Sequence, residues 1–220
     1  MNNLNQLILN FDYDQNFKDQ DFYVSKSNEF AFKVLNSWPK WEKNFVNLIG
    51  EKFSGKTHLI NIFLEKFKGI KIEANEINNE FLKNIKVFEN IIIENFDDKI
   101  DENIFFTLLN IIDQDNKYLI LTSKNPIVDY SFNLNDLKSR SKNFLLCNIE
   151  KPGDDLIFAL ILKNLSDRQI SIDKKLVDYI IKRIDRSYGK IYDFIYKIDK
   201  ISLKRKKPID FKIIKEALGE

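Results

Sequence analysis

Residues 50–57 read Gly50-Glu51-Lys52-Phe53-Ser54-Gly55-Lys56-Thr57 and fit the pattern G-x-x-x-x-G-K-[ST]. The short apolar run FVNLI precedes them at 45–49. The stretch THLINIFLEKF follows, with Leu59, Ile60, Phe63, Leu64 and Phe67 at the spacing of a helix packed on a sheet. Strand, glycine-bearing turn and helix follow one another in the order a loop needs to curl round a polyphosphate. Gly50 and Gly55 permit the curl, the backbone N–H groups around Glu51, Lys52, Phe53 and Ser54 turn inward, and the helix adds its positive N-terminal end. Lys56 brings a point charge to the β- and γ-phosphates, and Thr57 a hydroxyl suited to Mg2+. His58, the only histidine, opens the same helix beside this site and reads as a packing or hydrogen-bonding residue rather than a catalytic base.

Outward from this loop, further short β-branched or aromatic runs at 70–73, 90–93, 118–122 and 144–149 alternate with helical stretches such as ENIFFTLLNIID. That alternation predicts an α/β fold with a parallel sheet. Before the first strand, SNEFAFKVLNSW reads as a helix with Ser27 as N-cap, ended by Pro39. Past Lys151-Pro152-Gly153 the strands stop, and DDLIFALILKNL, DKKLVDYIIKRI, GKIYDFIYKIDKISL and DFKIIKEAL read as amphipathic helices. The predicted division is a flexible N-terminal arm at 1–20, an α/β nucleotide-binding core at 21–151 and an all-helical lid at 152–220.

A polyphosphate loop needs a second strand that delivers a carboxylate, and FENIIIENFDD places Glu94 after Ile91, Ile92 and Ile93. Glu94 is the candidate metal-side carboxylate, together with Thr57. The next position, where a carboxylate would polarise attacking water, is Asn95, which cannot act as a general base. Hydrolysis is therefore expected to be slow or partner-dependent, and Asp97 and Asp98 read as solvated loop residues. The strand YLILTS ends in Thr122 and Ser123. Ser123 has two readings, a polar group reaching the γ-phosphate or an ordinary residue of a strand-to-turn junction. Arg140, in LKSRS, is a surface residue in most folds, but in ring-forming ATPases this place supplies an arginine to a neighbour's nucleotide.

Composition narrows the class further. A hydrophobic fraction of 44% with 19 Phe, beside 6 Gly and 4 Pro in 220 residues, describes a packed, rather helical protein. The formal net charge of +2 is too small for a chain that grips nucleic acid through its overall field, so no sequence-specific DNA binding is expected. One cysteine, Cys147, excludes an internal disulfide and predicts a reducing, cytoplasmic setting. No basic leader and no run of about 20 apolar residues marks export or a membrane span.

Taken in order, these motifs resemble the DnaA-related AAA+ family, and more closely its short Hda-type regulators. The resemblance covers most of the chain. DFYVSKSNEFAF is similar to the family's stretch that helps enclose the adenine, which brings in Val24; GEKFSGKTHL is similar to its Walker A; LILTSKNPIVD and LKSRS are similar to its sensor 1 and arginine-finger region. The implied fold is a P-loop AAA+ core with a helical lid, and the implied cofactors are ADP or ATP with Mg2+. Where the family's lid carries a sensor 2 arginine, RIDRSYGKIYDF places Gly189, flanked by Arg186 and Lys190 as substitutes.

Three features turn the resemblance toward the regulators. The sequence is expected to stop after the lid without a helix-turn-helix domain, and nothing in it resembles the initiator's helicase-interaction domain. The third is QLILNF, which is similar to the peptide with which Hda-type proteins dock on the DNA polymerase III sliding clamp: Gln6 would bond at the groove edge while Leu7, Leu9 and Phe11 fill it. The resemblance then implies a regulator that stimulates ATP hydrolysis by the DnaA initiator through Arg140, with homo-oligomers possible in a ring-forming class. The rival readings are a DnaC-like helicase loader and a non-catalytic adaptor with a vestigial P-loop.

Overall fold

The computed structural model describes residues 22–97 and 99–220. The Gln6 to Phe11 peptide and Asp98 lie outside the described residues. Five parallel strands form one sheet in the order β2-β3-β4-β1-β5. In chain order these are β1 (Phe45–Ile49), β2 (Gly69–Glu73), β3 (Asn90–Phe96), β4 (Tyr118–Ser123) and β5 (Leu145–Asn148). The order places β1, which carries the Gly50 loop, between β4 and β5, so the strand behind the loop is paired on both sides.

The three inner strands β1, β3 and β4 are buried on both faces, which explains their largely continuous apolar runs, whereas the edge strand β2 alternates. Every residue of β1 is buried, and Ile91, Ile92 and Ile93 are fully so. Successive side chains take opposite faces. Ile91, Ile93, Leu119 and Leu121 pack with Phe81, Phe105, Leu108 and Ile112 from α3 (Asn79–Asn84) and α4 (Glu102–Gln114). On the other face Val46, Leu48, Ile92 and Ile120 meet Ala31, Leu35, Leu59, Ile60 and Phe63 from α1 (Glu29–Asn36) and α2 (Lys56–Lys66). Each such side chain contributes about 1.5–3 kcal/mol by leaving water.

The helix boundaries follow local chemistry. Asp101 accepts from Asn103 N and Ile104 N at the start of α4, and Asn78 accepts from Glu80 N and Phe81 N at the start of α3. Two expectations need correction. Ser27 does not cap α1; its hydroxyl shares a hydrogen bond with Ser25 Oγ, while Asn28 precedes the helix and its side chain ties back to Ser25 N and Tyr23 O. The strand carrying Glu94 runs on to Phe96, so Glu94 sits within it rather than beyond its end.

After the short α5 (Asn135–Ser141) and β5 come α6 (Asp154–Asp167), α7 (Lys174–Ile181), α8 (Tyr188–Arg205) and α9 (Phe211–Leu218). Their apolar faces form a core of their own around Ile161, Leu165, Val177, Ile180, Ile198 and Ile214. Leu156 and Tyr188 join the sheet's core instead, which ties α6 and α8 to the strands. No helix among the described residues is long and apolar enough to cross a membrane.

Cys147 is fully buried in β5, and burial pushes its thiol up to about 12. It is expected to stay unmodified by maleimide at neutral pH in the native protein and to react only once denaturant unfolds the chain. Stoichiometric labelling of the native state, followed by mass spectrometry, would contradict this.

Candidate functional site

The loop after β1 closes on itself. Gly50 N donates to Ser123 O at 3.2 Å, and Lys56 Nζ donates to Gly50 O at 2.7 Å and Glu51 O at 2.9 Å. At Gly50 an added Cβ would stand 2.5 Å from Ser54 Oγ and 3.3 Å from Ile149 Cβ, so any larger residue would have to displace the buried Ser54 hydroxyl. Gly55 has φ +94° and Phe53 φ +68°. The first is a conformation only glycine adopts freely; for Phe53 it costs about 1–2 kcal/mol. α2 begins at Lys56 with no side-chain cap on its first N–H groups, which leaves its positive end to the loop. Burial lowers the Lys56 ammonium pKa, and the nearby Glu94 charge opposes that shift.

Beside the loop, Thr57 Oγ1 donates to Glu94 Oε1 at 2.7 Å. The predicted metal-side pair is therefore in contact. Glu94 is buried, at 4% exposure, and its second oxygen takes an ion pair with Lys71 Nζ at 3.0 Å. Thr57 and Glu94 are hard oxygen donors of the kind Mg2+ takes. The fit is incomplete, because an ammonium already holds Glu94 Oε2. Asn95, at φ +56°, turns away from this pair: its N–H donates to Thr122 Oγ1 at 3.0 Å and its amide donates to Glu73 Oε2 at 2.9 Å.

Ser123 faces the β1–β4 seam. Its hydroxyl accepts from Asn47 Nδ2 at 2.8 Å and donates to Asn125 O at 2.7 Å, so both partners belong to the sheet and its own turn. Arg140 lies against α4, donating to Asp113 Oδ2 at 2.5 Å and Asn110 Oδ1 at 2.7 Å, with its guanidinium 5.4 Å from the Phe106 ring centroid. Those three partners all sit on α4, away from the 50–57 loop in sequence.

The helical region reaches the loop through residues whose contacts the sequence did not announce. Glu51 Oε2 accepts from Ser187 Oγ at 3.0 Å and from Tyr188 N at 3.2 Å, which places a carboxylate on the N-terminus of α8. One turn on, Tyr192 stacks on Phe53 with centroids 4.4 Å apart and planes within 7°. Such a stack is worth about 0.5–1.5 kcal/mol and offsets much of the strain at Phe53. Lys52 Nζ lies 5.1 Å from the Phe53 ring centroid. Gly189 sits between these two contacts; Arg186 pairs with Asp154 at 2.6 Å, and Lys190 is exposed. On the loop's other side, Phe22 stacks on Phe32 and meets the His58 ring edge-on at 5.2 Å, so His58 does pack. Val24 is exposed two residues on.

Asn47, Lys71 and Glu73 were not foreseen. Asn47 had a signal, a lone amide in the apolar run FVNLI; Lys71 and Glu73 had none, since only strand register brings them to Glu94 and Asn95.

No family model matches the chain. The DnaA replication initiator of Borreliella afzelii is 24% identical over 192 residues, 75% of this chain and 39% of that protein. DnaA of Campylobacter jejuni is 25% identical over 210 residues, 83% of this chain and 48% of that one. The chain thus spans less than half the length of these relatives. Among solved structures, domain III of Thermotoga maritima DnaA superposes with a TM-score of 0.73 at 17% identity, covering 92% of this chain and 95% of that domain. AMPPCP-bound DnaA from Aquifex aeolicus gives 0.67 at 18% identity, over 90% and 79%. A RuvB variant of Thermotoga maritima gives 0.69 at 14% identity, over 91% and 71%. By sequence the chain is similar to DnaA initiators, and by fold it matches domain III of DnaA.

Proposed function

We propose that this protein binds ADP or ATP in the Gly50–Thr57 loop and acts in control of replication initiation as an Hda-like regulator of DnaA. The observation that carries the nucleotide reading is the closed loop itself. It holds a left-handed Gly55 before an uncapped helix start, Lys56 folded across its mouth, and Thr57 in contact with buried Glu94. The AMPPCP bound by the Aquifex aeolicus relative supports the same reading. In it, backbone N–H groups and Lys56 bind the phosphates, Val24 lines the adenine side, and the helices from 152 onward act as a lid engaged through Glu51 and Phe53. Asn95 supplies no base, so the protein itself turns over ATP slowly if at all.

In this reading the partners are the DnaA initiator and the DNA polymerase III sliding clamp, the latter through Gln6, Leu7, Leu9 and Phe11, outside the described residues. Arg140 would leave Asp113 and enter the initiator's nucleotide site. Leaving costs the partly exposed ion pair, worth about 0–1 kcal/mol, together with the Asn110 hydrogen bond and the Phe106 contact.

Two measurements test the proposal. Calorimetric titration should detect ADP and ATP binding by the isolated protein, and absence of both would refute the nucleotide site. Arg140→Ala should leave the melting temperature within about 2 °C. The same variant should lower stimulated hydrolysis by DnaA by about 10³-fold or more. Undiminished stimulation by that variant would remove Arg140 from the mechanism.

A further inference from the structure

The pairing of Glu94 sets this site apart from one built around a divalent metal. Both carboxylate oxygens are already engaged, Oε1 by the Thr57 hydroxyl at 2.7 Å and Oε2 by the Lys71 ammonium at 3.0 Å. Lys71 comes from β2, the strand at the sheet edge. Its register partner on β3 is Ile92, so it reaches diagonally to Glu94 two residues on, a span a lysine side chain covers. Asn61 of α2 accepts from the same ammonium at 3.3 Å and fixes its direction. Lys71 is 36% exposed along its side chain while Glu94 is 5% exposed, so the buried charge has a counter-ion that enters from solvent along the open edge.

We propose that Lys71 is the resident counter-cation of the nucleotide site, standing where Mg2+ would otherwise balance Glu94, so that the chain holds a nucleoside diphosphate or triphosphate without needing a divalent metal. The inference rests on the nucleotide-site reading above. Mg2+ demands a near-octahedral shell of oxygen atoms. At Glu94 it would have to take an oxygen that an ammonium holds, and it would meet that positive charge at close range. Lys56 lies near enough to the same carboxylate for their charges to interact, so two ammonium groups flank Glu94, whose register partner on β2 is a second carboxylate, Glu73.

The test is calorimetric titration of ADP and ATP in excess Mg2+ and again in excess EDTA. The wild type should show dissociation constants within about threefold of each other, whereas Lys71→Met should lose tenfold or more in EDTA and Lys71→Arg should behave as wild type. Thermal melts of the three proteins check that each is folded. Wild-type binding that weakens tenfold or more in EDTA overturns the inference while leaving the nucleotide site standing. Equal binding by Lys71→Met in both conditions also overturns it, because something other than Lys71 would then replace the metal. No binding in either condition overturns the nucleotide-site reading, and this inference with it.

Discussion

Replacing Lys56 by Ala is expected to weaken ADP and ATP binding by about a hundredfold while the protein stays folded. The ammonium makes two bonds inside the loop, to Gly50 O and Glu51 O, and is the only side-chain charge within the 50–57 curl that folds across its mouth. A charged hydrogen bond is worth about 1.5–3 kcal/mol, and 1.4 kcal/mol is a factor of ten, which together set that magnitude. The same variant leaves Glu94 with Lys71 and Thr57, so the carboxylate keeps its partners and the fold survives. Equilibrium titration of the purified variant reads the effect directly, and affinity within threefold of wild type would mean that the loop does not bind the phosphates through Lys56.

The lowered pKa of Lys56 gives this prediction a pH dependence with a definite sign. Burial is the larger cause, and it disfavours the charged form, so the free ammonium titrates below an ordinary lysine. Phosphate binding needs the charged form. Nucleotide affinity should be full below the lowered pKa and fall as pH rises through it, earlier than an exposed lysine would allow. Stability of the ligand-free protein moves the other way. Between the folded and unfolded pKa values the unfolded chain binds more protons at this residue, so the Lys56 contribution to stability rises with pH across that window.

The largest structural effect is expected at Asn47. Its side chain is fully buried in β1, where Nδ2 donates to Leu121 O at 3.1 Å and Ser123 Oγ at 2.8 Å, and Oδ1 accepts from Ile127 N at 2.8 Å. One amide thus joins β1, the end of β4 and the turn beyond it. Asn47→Ala strands a buried N–H and a buried carbonyl, at a cost of about 3 kcal/mol. For a chain of this size that lowers the melting temperature by roughly 6–12 °C. The loss should reach the Gly50–Thr57 loop as well, because Gly50 N is anchored to Ser123 O at the end of the same seam. Differential scanning calorimetry decides the matter; a shift under about 2 °C would show that water replaces the amide.

How much of this was legible beforehand differs by residue. The loop at 50–57, the apolar inner strands and the carboxylate after the isoleucine run were readable because each depends on residues adjacent in the chain: a glycine where the backbone turns left-handed, a lysine and threonine opening a helix, isoleucines that only a doubly covered strand can hide. Glu94 and Thr57 were each singled out separately, and the fold brought them to 2.7 Å. Arg140 was recognisable as a candidate, but its hold on Asp113 was not, since that partner lies in α4. Nothing in the local sequence at Glu51 or Phe53 announced that the loop would cap α8 and stack on Tyr192, contacts spanning more than a hundred residues.

The division has a physical basis. Sequence by itself determined the Gly50–Thr57 loop, the parallel α/β class and the helical C-terminal region, because backbone conformation and hydrophobic period are local properties of the chain. Tertiary structure alone decided which charges meet. Lys71 stands on Glu94 because the β2–β3 register, set by the burial of Ile70 and Ile72 against the core, puts that lysine on the loop's side of the sheet. A shift of one residue would turn it to the other face and leave the buried carboxylate with Lys56 as its only nearby cation.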